Sequence, residues 1–438
     1  MVRPMKTPNS HTPGPWQPIL EGEDAAAALA VVRDIADELT RIDLPAHVGR
    51  RAPTLSSGQS GIALLHAYLD ACFPEEDHRE RTLVALDDAL DGIDSVLRSP
   101  ALCDGFVGVA WTLAHLEIGL WQSGEVDDLQ PLDEALVELL EAGWDGPYDL
   151  ISGLVGFALY ALERPDSALL ARGLWRVLGL LDETSERWPD GSPGITWKTL
   201  PRLLPEHQRQ VAPDGYYNLG LAHGVPGIIA MLSQVCGSPE PPALARTMLR
   251  GAMDWLAEQG LLPDQSDNMD AWLVPGADRF PGRTAWCYGD PGVAIALAQG
   301  ALALDDRAMY RHAMTMGRRA AARDVAAALV RDGGICHGAA GLGHIFNRMY
   351  QATGEAEFLD AARRWFMHLL GMREPGRGIA GYLFLLPTDT RERGTEWQPG
   401  AGLLTGATGV ALALLAAATP VEPLWDRHLL CALPPRSR

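Results

Sequence analysis

The stretch GDPGVAIALAQGALAL, Gly289 to Leu304, decides the fold. It opens on two glycines three positions apart and continues as a run that is apolar around most of its circumference, and a helix of that kind must be buried. The same Gly-x-x-Gly opening occurs seven times, at Gly58 to Gly61, Gly105 to Gly108, Gly153 to Gly156, Gly224 to Gly227, Gly289 to Gly292, Gly338 to Gly341 and Gly406 to Gly409. The other copies lead into runs such as GIALLHAYL, GVAWTLAHL, GIIAML and GVALALLAAA. Successive first glycines lie 47, 48, 71, 65, 49 and 68 residues apart. Self-similarity at such a period marks a repeat architecture.

Between the copies lie amphipathic stretches with charged faces: Asp24 to Ile42, Arg79 to Arg98, Pro131 to Gly143, Asp166 to Arg187, Pro241 to Gln259, Asp305 to Val330 and Glu355 to Gly371. A spacing near 48 residues fits one helical hairpin per repeat, with two helices of roughly 12 to 18 residues and short joins. Strand-like alternation is scarce, so the reading is all-α, with seven buried inner helices and an exposed outer helix paired to each. The pattern leaves a closed barrel and an open solenoid both open, although burying the inner helices on every side favours closure. The glycines have a plain structural job, letting helix starts approach closely and the chain turn sharply into each helix. The three long intervals mark inserts at about 189–221, 262–284 and 372–404, rich in Pro, Gly and charge, which are read as lids, docking loops or irregular connectors. They sit within one domain spanning 21–430, between a flexible N-terminal extension, 1–20, and a short tail, 431–438.

Composition sets the limits. The first sixteen residues carry four prolines and no apolar core, and the Ala-rich stretch after them is broken by Glu21, Glu23, Asp24 and Asp34, so no cleaved secretion signal is expected. The longest apolar runs fall short of the roughly 18 to 20 residues that cross a bilayer. Six cysteines in 438 residues are too sparse for a disulfide scaffold, and with no export signal a reduced, cytoplasmic setting follows, which frees the thiols to bind metal. A formal charge of -20 argues against binding nucleic acid, which needs a basic surface.

Equivalent positions of a repeat lie at equivalent heights, so residues just before each Gly-x-x-Gly line one rim. That rim carries Asp104, Asp149, His223, Cys287 and the adjacent pair Cys336 and His337, with Ser57 and Thr405 in the remaining copies. Two cysteines and one histidine from neighbouring repeats are the soft ligands zinc prefers, in the number typical of catalytic zinc with a fourth position open. Taken singly, a cysteine at a buried helix start is more often packing, and it is the shared register that favours a common site. Cys72, Cys103, Cys236 and Cys431 have no such partnership and read as ordinary core or surface residues.

The strings AHGVPG (Ala222 to Gly227), WCYGDPG (Trp286 to Gly292) and CHGAAG (Cys336 to Gly341) resemble the three signature segments of the lanthipeptide cyclases, also called lanthionine synthetase C proteins, and DLISGLVG (Asp149 to Gly156) is similar to a further family segment. The resemblance implies an α/α toroid holding a single catalytic zinc at the top of its central cavity, and an enzyme that adds peptide cysteine thiols to dehydroalanine or dehydrobutyrine to make (methyl)lanthionine rings. It places the zinc ligands on Cys287, Cys336 and His337, the acid-base histidine on His223, an aspartate on Asp149, an arginine on Arg283 and a tyrosine near the metal on Tyr288. It further implies a dehydrated precursor peptide with a leader segment, a dehydratase and a transporter as partners, and a place beside a membrane-associated biosynthetic complex. Plain alternatives stand beside these roles: helix capping for Asp149, a surface ion pair for Arg283, packing for Tyr288. At a helix N-terminus His223 is expected to feel a dipole that disfavours its imidazolium, with Asp149 opposing.

Two other functions compete. A cyclase-like protein could capture glutathione or another thiol without closing rings. A glycoside hydrolase on a helical toroid could use Asp104, Asp149 and Asp290 as paired carboxylates, but it leaves the two cysteines and His337 without a job.

Overall fold

The first four N–H groups of a helix have no partner inside it, and a glycine in the cap position offers no side chain to take one. In this protein the loop before an inner helix folds back and supplies carbonyls from seven residues upstream. The N–H of Leu154 donates to Pro147 O at 3.3 Å and that of Val155 to Tyr148 O at 3.1 Å; Ala339 donates to Asp332 O at 3.0 Å and Ala407 to Gly400 O at 2.8 Å. The returning loop passes so close that a Cβ has no room. At Gly289, where φ is 144°, an added Cβ would stand 1.8 Å from the Arg283 carbonyl oxygen, and at Gly292 it would stand 2.2 Å from that of Trp286. The sharp turn is thus the main reason for the paired glycines, and the approach of a neighbouring repeat, with Leu221 Cβ 3.2 Å from the Gly292 position, is the lesser one.

The computed structural model describes residues 15–121, 129–187, 194–259, 268–278, 280–387 and 394–435; residues 1–14 of the expected extension and 436–438 of the tail lie outside the described residues. The contacts divide the chain into two compact units, one comprising 129–320 with 428–433 and the other 15–121, 321–427 and 434–435.

In the first unit the inner helices are Leu154–Glu163, Val225–Cys236 and Asp290–Ala303. The Val225–Cys236 helix packs against both of the others. The outer helices Ala168–Thr184 and Ala243–Glu258 each pair with the inner helix that precedes them. In the second unit the inner helices are Gln59–Cys72, Phe106–Ala114, Ala339–Thr353 and Ala407–Ala418. His78–Asp91 and Ala356–Gly371 complete two hairpins. The last inner helix, Ala407–Ala418, takes as its outer partner the first helix of the chain, Gly22–Leu39, and it also neighbours Gln59–Cys72. The seventh hairpin is therefore assembled from the two ends of the sequence.

Backbone hydrogen bonds lock the turns before the inner helices into a common register. In the second unit Cys336 N–H donates to Leu404 O, Leu404 N–H to Ser56 O and Ser56 N–H to Cys103 O; in the first, Leu150 N–H donates to Ala222 O and Ala222 N–H to Cys287 O. The equal heights expected from the repeat are made by this ladder.

Buried polar groups tie down the second unit. Arg348, fully buried, pairs with Asp426 through Nε at 2.6 Å and Nη2 at 2.9 Å and with Glu422 through Nη1 at 2.9 Å, while His344 Nε2 meets Asp426 Oδ2 at 2.7 Å. The same guanidinium lies 4.8 Å over the ring of Trp16, whose Nε1 donates to Ala416 O.

The described parts of the inserts carry short strands. Those at 189–221 and 262–284 join in one antiparallel four-stranded sheet of Lys198–Thr199, Tyr216–Asn218, Asp270–Leu273 and Phe280–Pro281, paired in that order. The third forms a hairpin, Phe384–Pro387 with Thr395–Gln398. These strands are short, and Tyr216–Asn218 is buried throughout, which is why alternation in the sequence does not announce them. No helix among the described residues is long and apolar enough to cross a membrane.

Candidate active site and metal centre

Four residues delivered by the first unit's turns and sheet line one cavity of ≈310 Å3: Asp149, His223, Tyr288 and Asn218. Asp149 sits in the loop that returns to cap the Leu154–Glu163 helix, and each of its oxygens has a task. Oδ1 accepts the Ser152 N–H at 2.8 Å, and Oδ2 accepts from His223 Nδ1 at 2.5 Å. One carboxylate thus makes a capping-type contact and also meets an imidazole.

His223 immediately precedes the glycine cap of the Val225–Cys236 helix. Burial alone pulls its pKa down, but the hydrogen bond and charge of Asp149, with a contribution from Cys287, outweigh that and leave it above the ordinary histidine value. Asp149 acts through direct contact with the imidazole. Tyr288 lies beside His223 with ring centroids 6.1 Å apart, and burial pushes its phenol well above the usual range.

Cys287, Cys336 and His337 each offer a ligand atom, and these atoms all lie within 4.8 Å of one another. Zinc bonds of about 2.0–2.3 Å set ligand atoms of a tetrahedral site roughly 3.5–3.8 Å apart, so the three side chains fit one such ion with small adjustment. The two thiols and one imidazole are also the donors zinc selects, and a three-residue set leaves a coordination position for a substrate. Cys287 is buried, while Cys336 and His337 are half-buried.

Arg283 stands apart. Its carbonyl oxygen is what abuts Gly289, its side chain is exposed, and it does not line the cavity. Asp104 accepts hydrogen bonds from the Ser56 and Ser57 hydroxyls, and Asp290 accepts the Met269 N–H at 2.8 Å, so each carboxylate holds local backbone or side chains and neither lines the cavity. Among the described residues that line this cavity Asp149 is the one carboxylate, so the paired carboxylates of a glycoside hydrolase are not found there. Cys103, Cys236 and Cys431 are buried and Cys72 is half-buried.

Asn218 was not anticipated. It is 1% exposed, its amide meets Tyr288, and it lies six residues before Gly224, the position whose carbonyl abuts the first glycine of a repeat. The same six-residue offset recurs at Gly58, Gly105, Gly153 and Gly289, so the spacing from the glycine is the signal that could have singled the residue out.

The lanthionine synthetase C-like protein family matches residues 50–430. The nisin biosynthesis protein NisC of Lactococcus lactis subsp. lactis is 26% identical over 313 residues, which cover 66% of this chain and 72% of that protein. Among solved structures, nisin cyclase superposes with a TM-score of 0.71 at 22% identity, covering 92% of this chain and 97% of the other. This likeness shows the fold, an α/α toroid. With a family match that spans nearly all of the seven repeats, the chain belongs to the lanthionine synthetase C-like family.

Proposed function

We propose that this protein is a lanthipeptide cyclase that closes thioether rings by adding a peptide cysteine sulfur to the β-carbon of a dehydroalanine or dehydrobutyrine in the same peptide. The observation that carries the reading is the set of Cys287, Cys336 and His337, whose ligand atoms lie within 4.8 Å of one another, and the histidine–aspartate pair of His223 and Asp149 supports it.

Addition needs a thiolate, and a free cysteine with a pKa of about 8.5 is mostly protonated near neutral pH. Cys287, Cys336 and His337 would hold zinc, which when bound would supply the Lewis acidity to lower the pKa of a peptide thiol, with the two protein thiolates offsetting part of its charge. The remaining work belongs to the chain. Asp149 fixes the tautomer of His223 by taking Nδ1–H, which leaves Nε2 as the nitrogen for proton transfer. His223, biased toward the imidazolium by that contact, delivers the proton that the α-carbon needs after the sulfur has added. The cavity walls, with Leu203, Leu204 and Tyr216 from the first insert, exclude water from the enolate.

On this reading the substrate comes from a reaction that dehydrates serine and threonine, and the family resemblance adds a leader segment on the precursor, a cytoplasmic setting and a transporter at a membrane-associated complex.

The test pairs metal analysis with mass-spectrometric thiol capping on a dehydrated precursor. His223→Ala retains zinc and loses most ring closure, whereas Cys336→Ala loses the metal. Full ring closure by zinc-free wild type refutes the reading, and zinc with glutathione binding but no rings identifies a thiol-binding protein instead.

A further inference from the structure

Asn218 holds Gly220 and Tyr288 with opposite ends of its side-chain amide, which also meets the Tyr216 hydroxyl. Its Oδ1 accepts the Gly220 N–H at 2.9 Å and its Nδ2 donates to the Tyr288 hydroxyl oxygen at 3.2 Å. The assignment follows from chemistry, because a backbone N–H only donates, so the amide atom it meets is the oxygen and the nitrogen is left for the phenol. A phenol oxygen that accepts from an amide keeps its own O–H for another partner. Among the described residues no group accepts that O–H, and Tyr288 lines the cavity beside His223.

The surrounding segment is shaped to hold the phenol in place. A Cβ at Gly220 would lie 2.5 Å from Tyr288 Cδ1, so the glycine lets the ring seat. Trp272 meets the ring edge-on at 6.4 Å and stacks on Tyr216 at 5.3 Å. Two inserts thus meet behind one hydroxyl.

We infer that Asn218 is a positioning residue that aims the Tyr288 hydroxyl as a hydrogen-bond donor to the carbonyl oxygen next to the dehydrated residue, where negative charge gathers as the sulfur adds. The inference rests on the cyclase reading. In that reaction the sulfur lone pair forms the C–S bond to the β-carbon, the π pair between α- and β-carbons moves to the α-carbon and carbonyl oxygen, and a proton from His223 completes the α-carbon. The thiol's own proton, released on activation, balances the one His223 gives. Tyr288 keeps its proton throughout and contributes only a hydrogen bond that strengthens as the oxygen gains charge. Arg283, exposed and outside the cavity, leaves this oxygen to Tyr288.

The experiment measures kcat and KM for a synthetic peptide carrying one dehydroalanine and one cysteine, by thiol capping and mass spectrometry. Asn218→Asp is nearly isosteric, but its carboxylate only accepts, so it turns the Tyr288 O–H away from the cavity. Expected is a fall in kcat of about 10²-fold with KM within about twofold, a similar fall for Tyr288→Phe, and no further loss in the double variant. Unchanged zinc content and melting temperature in each variant separate this from misfolding. The inference is overturned if Asn218→Asp keeps kcat within about threefold of wild type, if Tyr288→Phe does so, or if the two losses multiply. If zinc-loaded wild type closes no ring, the cyclase reading itself fails and takes the inference with it; ring closure by wild type with an unaffected Asn218→Asp removes the inference alone.

Discussion

His223 Nδ1 lies 2.5 Å from Asp149 Oδ2. The contact joins residues 74 positions apart and decides both the tautomer and the charge preference of the imidazole. Asp149→Asn keeps the shape of this contact, but its amide can donate to Nδ1 and so favours the wrong tautomer. Ring closure is expected to fall by about 10²–10⁴-fold with zinc content unchanged, read by thiol capping beside metal analysis. A variant with wild-type rate shows that the pair is structural.

Gly289→Ala places a methyl 1.8 Å from the Arg283 carbonyl oxygen at a residue with φ of 144°. Strain of this kind costs about 1–3 kcal/mol before the clash is added. The variant is expected to be the less stable of a pair in thermal melts. Its partner is Gly371→Ala, at a helix end where nothing lies within 4 Å, expected to be neutral or more stable by up to about 1 kcal/mol.

The side chains of His66 and His78 face each other in the core with Nδ1 atoms 3.1 Å apart. Burial first, then the charges of His78 and Arg81, lower the His66 pKa to about 3. The unfolded chain, with a histidine pKa of about 6.5, therefore binds the proton more readily than the folded one. Stability from this group is complete above about pH 6.5 and declines as the pH falls toward about 3. Acidification from pH 6.5 to 4.5 should cost about 2–3 kcal/mol through His66, and His66→Gln should show a shallower decline in melting temperature over that range. Parallel curves for the two proteins would dismiss the linkage.

Arg348 is fully buried with two carboxylates and the Trp16 ring around it. Arg348→Met leaves Asp426 without its main counter-charge, and a loss of about 3–5 kcal/mol is expected in denaturant unfolding. Adding Asp426→Leu should recover part of it, since removing both charges is cheaper than stranding one. A double variant weaker than the single would show that His344 and the chain ends depend on Asp426 itself.

Much of this was legible in the chain. Seven Gly-x-x-Gly openings with apolar runs specify buried inner helices, because burial on all sides leaves no polar face and the returning loop leaves no room for a Cβ. The intervening amphipathic stretches mark the outer helices, although those over 79–98 and 305–330 end early, at Asp91 and Ala322, and the common register brings Asp149 and His223 to one height. Periodicity carries that information because each repeat solves the same local packing problem.

Other features have no local signal. That the seventh hairpin joins Ala407–Ala418 to Gly22–Leu39 is a contact between chain ends, and nothing near either helix encodes it. The inserts reveal their sheet only when Tyr216–Asn218 meets Asp270–Leu273, since strands this short bury too little surface to enforce alternation. The outward turn of the Arg283 side chain, and the hold of Asn218 on Tyr288 across 70 positions, depend on where folded backbones pass. Side-chain direction in a loop is set by its tertiary neighbours, whereas a helix carries its own direction in the 3.6-residue period.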